Sequence, residues 1–166
     1  MNGNGSPTTT FIGLYSAWKI DGNHSGVAVL QGNSSGVQVA ALSEDLCSQA
    51  DVLAFLREHM RDETVLAIDC SLVVSNRTGQ RPCERQVASA FDRYHASCHT
   101  TNKGRLYWEA GPRLVRSLAR LGFMHGLPLE SAKRRRGCWL IEAYPHPAMV
   151  QLFGLDRILK YKKWVA

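Results

Sequence analysis

Thr64 to Leu72 reads TVLAIDCSL, and this segment limits the fold more than any other. Its aliphatic residues run almost without a polar break, which suits a central strand covered on both faces rather than one with a wet face. One carboxylate, Asp69, stands where that strand should give way to a loop. Cys138 to Pro147, CWLIEAYPHP, repeats the design with Glu142 in an apolar run followed by a proline-bounded turn. An acid on a buried strand needs a partner, because a lone buried charge is so unfavourable that it is normally neutralised by a pKa shift. Two such acids point to a bound cation or a shared proton. The plainer reading has one or both capping a helix or pairing with an Arg.

The chain has 166 residues, 45% of them hydrophobic, enough for one compact domain with a sizeable core. The expected organisation is a flexible polar leader at 1–9 and a single domain over 10–166. A formal net charge of +6 favours anionic partners such as nucleic acid or nucleotides. Cys47, Cys70, Cys83, Cys98 and Cys138 form an odd set without CxxC spacing, so reduced thiols are expected rather than a disulfide framework, and with them a cytoplasmic location. No apolar stretch reaches the roughly 18 residues of a membrane span, and the N-terminal MNGNGSPTTT lacks the features of a signal peptide. The Asn-x-Ser/Thr triplets at Asn23, Asn33 and Asn76 therefore read as turn formers.

Thr10 to Lys19 carries the β-branched and aromatic residues of a strand. GVAVLQG and GVQVAALS follow it, separated by tight Gly/Asn/Ser turns, which predicts an antiparallel three-strand meander. Ser48 to Met60 changes to helical period, with Ala50, Val52, Leu53, Phe55, Leu56 and Met60 on one stripe. Strand Val65 to Leu72 comes next, then a helix over Cys83 to Tyr94 opened by Pro82, a second over Pro112 to Leu121 stopped by Gly122, strand Trp139 to Tyr144 and a last helix. This order argues an α/β chain with a mixed sheet and helices on its faces.

Beyond the strand acids, Arg77 to Arg85 is the second candidate site. Arg81 just ahead of the Pro82 helix, or Arg85, can hold a phosphate bidentately near the positive end of the helix; in the plainer reading Glu84 favours the helix start and Arg85 is solvated. Lys133-Arg134-Arg135-Arg136 can track a nucleic-acid backbone, with Arg105, Tyr107 and Trp108 available for base stacking, or can be a solvated loop. His95, Cys98 and His99 include a His pair at i and i+4, but their spacing matches no zinc ribbon or finger. His146 is a proton-shuttle candidate beside Glu142, or it satisfies the turn backbone. Asp21, near the first turn, is a remote contributor at best, since a hairpin tip lies at the other end of the strand.

Taken in order, GLYSAW at 13–18, AIDCSL at 67–72, NRTGQRPCER at 76–85, IEAYPHP at 141–147 and YKK at 161–163 resemble the domain-of-unknown-function family 429, predicted nucleases of the ribonuclease H-like fold. The resemblance implies a sheet whose first three strands are antiparallel and whose fourth and fifth run parallel to the first. It also implies acids gathered at the strand ends around Mg or Mn. Asp69 and Glu142 are then the metal ligands, with Arg81, Glu84 and Lys162 completing the site. In the family the first strand carries an Asp where this chain has Tyr15, and the domain continues beyond the Tyr-Lys motif to a helix with another acid. The expectation is a metal-dependent nuclease-like domain of low or absent turnover, truncated at its C-terminal helix. Two alternatives stand beside it: a non-catalytic nucleic-acid-binding module, and a nucleotide-binding phosphotransferase of actin or sugar-kinase-like architecture. The last lacks the Gly-rich phosphate loop expected after the first strand.

Overall fold

A computed structural model of the chain describes residues 8–17, 23–126 and 137–159. In chain order its elements are β1 (Thr9–Tyr15), β2 (Ser25–Asn33), β3 (Gly36–Leu46), α1 (Gln49–His59), β4 (Thr64–Ile68), α2 (Pro82–Phe91), a 3-10 turn (Asp92–Tyr94), α3 (Ala110–Ala119), β5 (Phe123–His125), β6 (Cys138–Glu142) and α4 (Pro145–Phe153). They fall into two compact units, one from the described residues of Met1–Val73 and Glu109–Ala143, the other from those of Val74–Trp108 and Tyr144–Ala166.

The first unit contains a six-stranded sheet of order β3-β2-β1-β4-β6-β5. β1, β2 and β3 form an antiparallel meander, and β4, β6 and β5 run parallel to β1. This mixed α/β sheet has the strand order and directions expected of a ribonuclease H-like architecture. The turn between β2 and β3 is closed by Asn33, whose Oδ1 accepts the Ser35 N–H at 2.8 Å. α1 starts at a capping box: Ser48 Oγ accepts the Asp51 N–H at 3.1 Å, and Asp51 Oδ2 accepts the Ser48 N–H at 2.9 Å. Two orphan amides at the helix start are thereby satisfied.

Alternation along the strands puts Ile12, Leu14, Val27, Val29, Leu66, Ile68 and Leu140 into one core with Val52 and Leu56 of α1 and Leu114 and Leu118 of α3. Each such side chain contributes roughly 1.5–3 kcal/mol by leaving water. The sequence missed β5, because its three residues are too short to show a period. β4 ends at Ile68 rather than Leu72: Asp69 makes one last bond to β1 as the chain bends, and Cys70 turns back on Ile68, although Leu72 still enters the core. The turn expected after Glu142 is brief, and α4 begins at Pro145 with proline in its first turn. β1 ends at Tyr15, and residues 18–22 lie outside the described part.

Gly111, in the first turn of α3, fixes how that helix meets the segment leaving β4. A Cβ added there would collide with the Ser71 carbonyl oxygen and stand 2.6 Å from Cys70 Sγ. Backbone on one side of the contact cannot move aside cheaply. Gly111→Ala is therefore expected to lower the urea midpoint, with a cost of about 1–3 kcal/mol or more. An unchanged midpoint would mean that α3 shifts freely over this segment.

Candidate functional site

The strand register brings three of the sequence-selected positions to one edge of the sheet. Leu14 of β1 pairs with Ile68 of β4, and Ile68 pairs with Glu142 of β6. The ladder continues one row further, as the Asp69 N–H donates to the Leu14 carbonyl and the Ala143 N–H to the Ile68 carbonyl, both at 2.9 Å. Tyr15 and Asp69 thus share one row, and Glu142 stands in the row before. Glu142 is exposed, and its Oε2 accepts the Leu72 N–H at 2.9 Å; Asp69 is half-buried. In open α/β sheets this carboxyl edge is where ligands bind, because loops and helix starts converge there.

Among the described residues no group of three or more His, Cys, Asp or Glu side chains is arranged to hold a metal. His95, Cys98 and His99 accordingly make no such cluster. A donor set of two carboxylates falls short of a two-metal centre. One Mg²⁺ ion commonly keeps several waters and takes only one or two protein carboxylates beside substrate oxygens.

The second unit places Arg81 and Glu84 in a different environment from an open phosphate site. Both are buried, at 8% and 1% exposure. Arg81 Nε donates to Glu84 Oε1 at 2.7 Å, the Arg81 N–H donates to Oε2 at 2.9 Å, and the Thr101 N–H reaches both oxygens at 3.2 Å. Pro82 opens α2, so Glu84 falls in the first turn and can fold back over the helix start. Burial acts to raise the Glu84 pKa, but the hydrogen bonds from Arg81 and Thr101 and the Arg81 charge hold it below its ordinary 4.5. Asn76 and Asn102 extend the network: Asn76 Nδ2 donates to the carbonyls of Gly79 at 2.9 Å and Thr101 at 3.0 Å, and Asn102 Nδ2 to that of Gly79 at 3.0 Å. Gly79 adopts φ +68°, a left-handed conformation that glycine takes without strain.

Thr101 and Asn102 stand in a polar run, HTTNKG, with no period in the sequence to mark them as buried. Arg85 is exposed and donates Nη1 to the Gln80 carbonyl at 2.8 Å. His146 lies in the first turn of α4, its ring edge-on to Tyr144 at 5.4 Å. Lys162, the Lys133–Arg136 block and Asp21 lie outside the described residues. All five cysteines are free, with Cys47 and Cys83 exposed. No described helix is long and apolar enough to cross a membrane.

The Arg81–Glu84 pair has a pH signature. Because Glu84's folded pKa lies below its unfolded value, the pair's contribution is fully present above about pH 4.5 and is lost as pH falls through the lower folded value. The parent should therefore lose stability below pH 4.5 more steeply than Glu84→Gln; parallel pH profiles in urea melts would dissociate Glu84 from acid unfolding. At neutral pH Arg81→Ala, which strands a buried carboxylate, is expected to cost about 3–5 kcal/mol.

No curated protein and no solved structure matches the chain. A family model described as Protein of unknown function (DUF429) matches residues 20–165, which leaves β1 and Tyr15 outside the matched range. That match spans most of the sequence, and the chain belongs to this family.

Proposed function

We propose that this chain is a metal-dependent nuclease-like domain whose phosphodiester site lies at the carboxyl edge of β1, β4 and β6, with turnover reduced by Tyr15. The observation that carries this reading is the pairing of Ile68 with Glu142, which sets Asp69 and Glu142 at the ends of adjacent parallel strands. Asp69 and Glu142 would hold one Mg²⁺ or Mn²⁺ ion. A metal bound there supplies activation of water and stabilisation of charge on the leaving oxygen. Asp69, anchored through its N–H to β1, fixes where one carboxylate stands. Glu142, held by the Leu72 amide, is set against the backbone that leaves β4. Arg81 and Glu84 tie the start of α2 to the Thr101 loop within the second unit. Lys162 is assigned to neutralising phosphate charge by the family motif alone.

A second reading, a nucleic-acid-binding module without catalysis, is favoured by Tyr15. Mg²⁺ prefers carboxylate, phosphate and water oxygens, and a phenol is a poor substitute for the carboxylate at this position. Binding that is unchanged by EDTA, with no cleavage, separates the two.

Tyr15 shares its row with Asp69, so replacing it with Asp adds a hard oxygen donor beside the first. Calorimetry with Mn²⁺ should show tighter binding by Tyr15→Asp than by the parent, and Tyr15→Asp with Asp69→Asn should lose the gain. Equal affinity in parent and single variant would remove the metal site from this edge of the sheet. The parent chain is expected to cleave DNA or RNA little or not at all with either metal.

A further inference from the structure

Two loops of the second unit are stitched together and present cations and aromatic rings outward. The Lys103 N–H donates to the Asn76 carbonyl at 3.1 Å, joining residues 76–80 to residues 101–108. Asn76 and Asn102 bridge the same two loops through their side-chain amides, and a Cβ at Gly104 would lie 3.7 Å from the Arg77 carbonyl oxygen. Beneath them the buried Glu84 takes the Thr101 amide. On this held base Arg77, Lys103 and Arg105 are exposed, and none of them pairs with an acid among the described residues. Lys103 Nζ sits 5.7 Å from the centre of the Trp108 ring. Tyr107 is 51% exposed, neighbours Leu106 at 81%, and adopts φ +61°, a strained conformation for a bulky residue. An aromatic ring held outward at the cost of backbone strain, among cations without acid partners in the described residues, suits a partner that is both anionic and flat.

We propose that loops 76–80 and 101–108 form a docking surface for single-stranded nucleic acid, with Tyr107 and Trp108 stacking on bases and Arg77, Lys103 and Arg105 taking the phosphates. The chemical class of the partner rests on the phosphodiester reading above, but the surface needs no metal and no acid at the sheet edge. A single strand fits better than a duplex, because a protruding ring can stack only on bases free of their own stack. Pre-ordered loops also lose little freedom on binding, so the exposed charges act at full effect.

The test is fluorescence anisotropy of a labelled single-stranded oligonucleotide and of the corresponding duplex, in EDTA, with the full chain. The parent should bind the single strand. Tyr107→Ala should weaken that binding about tenfold, Tyr107→Phe should keep it, and the duplex should be little affected. Lys103→Gln combined with Arg105→Gln should flatten the salt dependence for the single strand by about 1.4 in log slope, about 0.7 for each lost phosphate contact. Circular dichroism melting of each variant confirms that it is folded. No binding by the parent, equal affinity of parent and Tyr107→Ala, or equal losses on single strand and duplex would each overturn the proposal. Oligonucleotide binding without any metal binding would defeat the metal site while leaving this surface standing, and metal binding without oligonucleotide binding would do the reverse.

Discussion

β4 is the strand on which the first unit depends, because it is paired in parallel on both sides, to β1 and to β6. A parallel ladder cannot be closed by a short turn. Each neighbour must come from a distant part of the sequence, and only burial on the sheet faces holds them in register. Leu66 and Ile68 supply that hold, both fully buried against α1 and α3 through the shared core. A slip of one residue would move these side chains to the opposite face and would carry Asp69 out of the row it shares with Tyr15. Core packing and site geometry are thus set by the same constraint.

The second unit solves a different problem. Its polar residues, Arg81, Glu84, Thr101 and Asn102, are buried where an apolar core would be expected. A buried charge pair is not in itself a source of much stability, since desolvating both ions offsets most of their attraction. Its effect is on specificity: the carboxylate takes the Arg81 side chain and the amides of Arg81 and Thr101, so one arrangement of the α2 start and the neighbouring loop satisfies every donor named here. Arg81, which the sequence offered as a phosphate holder, is here bonded to Glu84, and the pair orders the start of α2 and the Thr101 loop.

The meander and the two aliphatic strands were legible because each rests on strong local patterns, while the parallel directions of β4 and β6 followed from the family resemblance. Turn residues marked the meander, and uninterrupted aliphatic runs marked β4 and β6. Gly122, at φ +91°, lies past the end of α3, which stops at Ala119, two residues before the Leu121 that the sequence implied. Boundaries were less legible. Periodicity carried β4 on to Leu72, whereas the backbone leaves the ladder after the Asp69 N–H while Leu72 still packs in the core. The role of Glu84 was half visible: its place in the first turn signalled a helix start, but nothing local revealed that Thr101, seventeen residues away, supplies two of its hydrogen bonds. Long-range polar pairing leaves no periodic trace.

Tyr15 shows how differently the two proposed sites respond to substitution. A metal site depends on oxygen donors fixed to within a fraction of an ångström by strand register, and losing one donor from a small set removes a large share of the coordination. A nucleic-acid surface built from separate cations and rings loses only one contact per substitution, since phosphate contacts contribute in rough proportion to their number. A chain of this family can therefore carry Tyr at the end of β1 and still keep the stitched loops, their Arg and Lys side chains and the exposed Tyr107 ring intact.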